Sequence, residues 1–222
     1  MGETDRVNFT NAFRVAFNRN PTEAEFKKIS RLYIKNLPDE VQSSIDKKKY
    51  ALIEGVKSLL SYLHKRSNVI LGLATGNIEE GAYIKLKPAG ILRYFRFGAF
   101  GDRDFKREDV LKKAVKRAEK IVKRKIEPSQ VYVIGDTHKD VAAAKECGYH
   151  SACVLSGFGD FERIFASNPE LIERDFSNPD VWLIWLGLKK DPKGVKRESY
   201  IFPQSVQSVF LKLEGIKFKK IW

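Results

Sequence analysis

From about residue 51 onward the chain alternates short apolar runs with amphipathic helical stretches, and this constrains its fold more than any other feature. The runs are "NVILGLAT", "RFGAFG", "VYVIGD" and "SACVLSGFG". Between them lie "GVKSLLSYLHKR", "IEEGAYIKLKPAGILRYF", "KREDVLKKAVKRAEKIV" and "KDVAAAKECG". Each helical stretch keeps one apolar side. Val110, Leu111, Ala114, Ala118 and Val122 recur at helical spacing, as do Val56, Leu59, Leu60 and Leu63. Near-continuous apolar strands separated by helices call for a parallel sheet with helices on both faces. Strands are expected near 69–75, 95–100, 131–136 and 151–155 in one α/β, Rossmann-like sheet. The helix after "LATGN" should break at Pro88.

The flanks differ from this middle. Residues 1–50 read as helices only. Phe9, Phe13 and Phe17 share one helical face, and a second helix opens at Pro21–Thr22 and carries Phe26, Ile29, Leu32 and Tyr33. Residues 187–222 form a basic extension, in which Val206, Val209, Phe210 and Leu213 mark a short helix. The expected division is therefore 1–50, 51–186 and 187–222.

Ligands of open parallel sheets bind beyond the C-terminal strand ends, so the residues that close the runs carry the functional signal. "LATGN" ends in Thr75, Gly76 and Asn77. That ending is either a plain turn or a seat for an anion, with the Thr hydroxyl and following amides near a helix N-terminus. "VYVIGDTHKD" places Asp136 at a strand tip and Asp140 at the start of the next helix. Two carboxylates at one end of a sheet suit Mg2+, an oxygen-seeking cation. Each is also a residue type that caps helices. "FKRED" supplies Lys106 or Arg107 to neutralise phosphoryl charge, or simply opens a helix in solvent.

Taken together and in this order, these segments resemble the haloacid dehalogenase superfamily of phosphohydrolases, in its phosphoglycolate phosphatase-like branch. The resemblance runs from Met1 to about Leu186. It implies that Thr75, with Gly76 and Asn77, holds the transferred phosphoryl group. It implies that Lys106, or alternatively Arg107, steadies the phosphate, and that Asp136 and Asp140 hold Mg2+. "MGETD" resembles part of a helical cap that selects substrate, so residues 1–50 form a partial cap. The superfamily's nucleophile lies in an Asp-x-Asp motif ahead of the cap, and this sequence shows none there. Its only Asp-x-Asp is Asp102–Asp104, in a later strand position. The chain is accordingly expected to be a truncated member. By resemblance it is a hydrolase of small phosphorylated metabolites, inactive alone and weak in binding Mg2+. The alternative is a degenerate, non-catalytic domain that keeps a phosphate pocket for binding or regulation.

Charge and cysteine content narrow the remaining classes. The formal net charge is +13, but the Lys and Arg residues are spread along the chain without a nucleic-acid-binding motif, so a solvated basic surface is favoured over a nucleic-acid footprint. Two cysteines, Cys147 and Cys153, lack metal spacing and make no disulfide framework. No run is apolar and long enough to span a membrane, and a cytoplasmic protein is expected.

Overall fold

The computed structural model describes residues 3–190. The helix expected at Val206–Leu213 lies outside them. Helices α1 (Asp5–Phe17) and α2 (Glu23–Asp46) form the N-terminal pair. α2 starts at a capping box. The Thr22 hydroxyl accepts from the Glu25 amide, and the Glu25 carboxylate accepts from the Thr22 N–H, so two donors of the first turn are satisfied locally. Phe9 meets Phe26 and Tyr33 across the pair, at 6.1 and 5.2 Å between ring centroids. Phe13 is buried, whereas Phe17 stays exposed although its ring lies 4.4 Å from that of Phe13.

The α/β part follows in the order α3 (Val56–His64), β1 (Gly72–Thr75), α4 (Glu79–Leu86), β2 (Phe97–Phe100), α5 (Arg107–Val122), β3 (Tyr132–Gly135), α6 (His138–Glu146) and β4 (His150–Val154). Then come α7 (Phe161–Ala166), β5 (Leu171–Glu173) and α8 (Pro179–Trp185). All four expected strands are present, with their bounds within about three residues of those expected, and α4 stops before Pro88. β5, α7 and α8 are additions to the sequence reading. α8 closes the largest core cluster, where Trp182 is fully buried beside Leu59, Leu63, Val154 and Leu171. Leu188 still packs on that cluster, so core packing runs slightly past the expected boundary at 186. Among the described residues, no helix is long and apolar enough to cross a membrane.

The expectation of one continuous sheet is corrected. Every pairing is parallel, but the strands form two ladders, β1–β2 and β3–β4–β5. β1 and β3 flank the division. Their flanks still converge on one apolar floor, because Ala74 of β1 and Val133 of β3 both pack on Leu111, Ala143 and Ala144 of α5 and α6. Between the two strands lies a cavity of about 210 Å³, with Gly72, Ala74, Val133, Val110, Leu111 and Ala114 in its lining. The physical reason for the correction is that strand pairing is non-local. An apolar run reports that a strand is buried and is silent about its neighbours.

Candidate active site

The end of β1 is built as a hydroxyl turn. Thr75 Oγ accepts from the Asn77 backbone N–H at 3.2 Å and from its side-chain amide at 2.7 Å. Asn77 in turn accepts from Lys85 Nζ at 2.5 Å. The Asn77 amide, expected to face an anion, is thus turned onto the Thr75 hydroxyl, a local bond that Thr makes readily at a turn. The N-terminus of α4 is also occupied, by the protein's own carboxylates. Asp5 accepts from the Ile78 N–H at 2.8 Å and Asp102 from the Glu79 N–H at 3.2 Å. Burial pushes the Asp5 carboxyl up, against the lowering effects of the Ile78 amide and Lys85.

Gly76 is where the two sides of the site approach. A Cβ there would lie 2.8 Å from the Glu3 carbonyl oxygen, 3.0 Å from Thr4 Cα and 3.2 Å from an Arg107 nitrogen. Only glycine leaves that room. The opening "ETD" segment packs on this point. Thr4 is fully buried and donates to the Asp104 carbonyl at 2.7 Å, while the Asp5 N–H donates to the Gly76 carbonyl at 2.7 Å.

Arg107 crosses from the β1 side to the β3 side. It is the first residue of α5, lies beside Gly76, and forms an ion pair with Asp140. The pair is largely shielded, with side-chain exposures of 21% for Arg107 and 11% for Asp140. Lys106, the preferred cation of the sequence reading, is 71% exposed and faces Glu108 at 3.7 Å. Lys106 is the N-cap residue with an extended backbone, so the helix carries Arg107 inward and leaves Lys106 outside.

Asp140 closes the capping box of α6. Its Oδ2 accepts from the Thr137 N–H at 3.1 Å and the Thr137 hydroxyl at 2.8 Å, while Oδ1 faces Arg107. Asp136 stands at the tip of β3, and its Oδ2 accepts from the Phe158 N–H at 2.9 Å. Burial raises the Asp136 carboxyl. The Phe158 amide opposes that shift, Asp140 adds to it, and Arg107 lowers it. The "GFGD" loop covers Asp136 closely. A Cβ on Gly157 would lie 2.2 Å from Asp136 Cβ.

The structure therefore brings Thr75, Gly76, Arg107, Asp136 and Asp140 to one end of the strands and leaves Lys106 apart. Lys85, Asp5, Glu3 and the Phe158 amide belong to the same end and were not singled out from sequence. The signal for Arg107 was available, since it lies one turn before Leu111 on the apolar stripe. As a Mg2+ seat the donor set does not fit as it stands. Both Asp140 oxygens are committed, and among the described residues no group of three or more His, Cys, Asp or Glu side chains could hold a metal. Asp104 is held by Lys113 at 2.5 Å, and Asp102 by the α4 N-terminus, so neither member of that Asp-x-Asp is directed to Thr75.

Parallel strands whose tips gather a Thr-Gly turn, an inward Arg and two Asp residues agree with the fold of a haloacid dehalogenase-like hydrolase domain. The family model of that description matches residues 7–154, and the chain belongs to this family. Among particular proteins, a phosphoglycolate phosphatase of Synechococcus elongatus is 27% identical over 119 residues, 54% of this chain and 53% of that protein. The chain thus spans about half the length of this curated relative. Solved structures share the fold. A putative phosphatase from Clostridium difficile has a TM-score of 0.53 at 23% identity, covering 78% of this chain and 76% of that one. CbbY from Rhodobacter sphaeroides, in complex with phosphate, has a TM-score of 0.58 at 16% identity, covering 79% of this chain and 80% of that one.

Proposed function

We propose that this chain carries the phosphate-positioning half of a Mg2+-dependent phosphomonoesterase that acts on a small phosphorylated metabolite, and that it does not turn over by itself. The observation that supports this most is Arg107, set between Gly76 of β1 and Asp140 of α6. A fixed cation beside a strand tip can neutralise charge developing on a phosphoryl oxygen. Thr75 is read as the hydroxyl contact to that group, with Gly76 allowing close approach. The similarity to a phosphoglycolate phosphatase points to a compact, singly phosphorylated substrate. α1 and α2, residues 1–50, are read as a cap that contacts its variable part, residues 51–186 as the core, and 187–222 as an extension. A cytoplasmic setting agrees with two unpaired thiols.

The inactivity follows from chemistry. Phosphoryl transfer in this reading is covalent and needs an attacking carboxylate and a proton donor for the leaving group. Asp136 is bonded to the Phe158 amide, Asp140 is paired, and Asp102 and Asp104 are held elsewhere. Weak Mg2+ binding follows from the same commitments of the carboxylates. A second reading, a non-catalytic domain that keeps a phosphate pocket for binding or regulation, is favoured by the same commitments of the carboxylates, because Arg107 beside Gly76 can attract an anion without any group to attack it.

The test is turnover of p-nitrophenyl phosphate and phosphoglycolate with Mg2+, by this chain and by a version extended upstream with an Asp-x-Asp strand. Turnover only by the extended version, lost in Arg107→Ala, supports the proposal. Turnover by the short chain, lost in Asp136→Ala and Thr75→Ala, would overturn the inactivity. An inert extended version that binds inorganic phosphate selects the second reading.

A further inference from the structure

Three polar side chains stand in series at the tip of β1. Lys85 Nζ donates to Asn77 Oδ1 at 2.5 Å, and Asn77 Nδ2 donates to Thr75 Oγ at 2.7 Å. The Asn77 backbone N–H donates to the same Oγ at 3.2 Å. An ammonium donates and never accepts, an amide has one accepting and one donating end, and a hydroxyl has two lone pairs and one hydrogen. Lys85 therefore holds the Asn77 amide with its oxygen towards Nζ and its nitrogen towards Thr75. Both lone pairs of Thr75 Oγ are then occupied, and its one hydrogen meets no acceptor among the described residues. Lys85 is itself held from the N-terminal helices. Its Nζ lies 5.7 Å from the centre of the Tyr33 ring of α2, a cation–π contact, and its backbone carbonyl accepts from the Tyr50 hydroxyl at 2.7 Å.

We infer that Lys85, acting through Asn77, is a positioning residue that leaves the Thr75 hydroxyl only its hydrogen to offer, so that this tip takes an oxyanion such as a phosphoryl oxygen. The assignment rests on the proposed phosphate seat and adds how its hydroxyl is aimed. A hydroxyl with no free lone pair can meet an acceptor and cannot meet a donor. An ionised phosphate oxygen fits that demand, and a ligand N–H or protonated oxygen does not. Without Lys85 the Asn77 amide is free to turn over. Its oxygen would then face Thr75 Oγ and take the hydrogen that the ligand needs, so the donor would be spent inside the protein. Asn77 thus acts as a relay. The charge on α4 decides the sense of a hydrogen bond that Lys85 itself does not touch.

The experiment is nitrogen-15 NMR of the 222-residue chain, first alone and then titrated with inorganic phosphate. Without phosphate, Lys85→Met should shift the Asn77 side-chain amide resonances, and Lys85→Arg, which still donates to Asn77, should return them. With phosphate, Lys85→Met should weaken binding by about tenfold, the size of one hydrogen bond to a charged group, and Lys85→Arg should restore it. Asn77→Ala leaves the Lys85 charge in place and should weaken binding in the same direction. Thr75→Val removes the hydroxyl, and adding Lys85→Met to it should cost no more than about twofold further. Asn77 resonances unmoved in Lys85→Met would overturn the positioning role, whatever phosphate does. So would parent-like binding by Asn77→Ala, or a full tenfold effect of Lys85→Met in the Thr75→Val background, since either would make Lys85 act by its charge alone. A parent chain that shows no response to phosphate at Thr75 and Arg107 would instead sink the phosphate seat, and the ligand assigned here with it.

Discussion

Replacing Arg107 by Met tests how much the site's central ion pair holds the two ladders together. Met keeps the length and apolar stem of the side chain and removes the charge. Asp140 then keeps its two bonds from Thr137 and loses its cation. Stripping one partner from a fully buried pair costs about 3–5 kcal/mol, whereas an exposed pair is worth only about 0.2–1 kcal/mol. With Arg107 about one-fifth exposed, screening lowers the expectation to about 2–3 kcal/mol. For a chain of this size that is a fall in Tm of about 4–12 °C. Asp140→Asn should also destabilise, by weakening the capping box. The double variant should cost less than the sum, with a coupling of about 1–2 kcal/mol. Urea unfolding followed by the fluorescence of buried Trp182 and Trp185, and in parallel by circular dichroism, gives the numbers. A cost below about 0.5 kcal/mol for Arg107→Met, or strict additivity in the cycle, would refute the claim that this pair joins the two sides.

Two titratable groups give further expectations. The Arg19 guanidinium holds Glu25 down to about 2, helped by the Thr22 amide. A depressed carboxyl stabilises above its unfolded value of 4.5, and that contribution fades as pH falls from there towards about 2. An NMR titration should show the low midpoint in the parent and its return towards 4.5 in Arg19→Ala; an unchanged midpoint would remove Arg19 as the cause. Burial, with Asp140 and Asp136 nearby, pushes the Cys153 thiol up to about 12, so at about pH 8 it is almost wholly protonated. Iodoacetamide followed by mass spectrometry should modify Cys147 well before Cys153 in the folded chain, and equal labelling would contradict the burial of β4.

Several parts of the site were legible because they are local. Asp136 and Asp140 flank one helix start, and the same few residues that form the capping box decide where both carboxylates stand. The Thr75 turn is local as well. The sequence offered the Asn77 amide to a ligand, and the nearest hydroxyl took it. The placement of Lys106 and Arg107 was not legible for a different reason: Lys106 stays in solvent and Arg107 turns inward. Adjacent residues at a helix start point in different directions, and the packing of Leu111 and Ala114 on the core settles which one turns inward. Glu3, Asp5 and Lys85 escaped notice because their partners lie far along the chain or across an interface. Asp5, for example, reaches Ile78.

The sequence by itself determined the alternation of strands and helices, the parallel sense of their pairing, the stop of α4 before Pro88 and the family to which the chain belongs. All of these rest on side-chain periodicity and short motifs, which act within a turn or two of chain. Only the tertiary structure decided that β1 and β3 stand apart in separate ladders, that Arg107 spans the space between their tips, and that carboxylates from Asp5 and Asp102 cap α4. Those outcomes depend on which distant surfaces meet. A backbone edge looks the same in sequence whether or not another strand lies beside it.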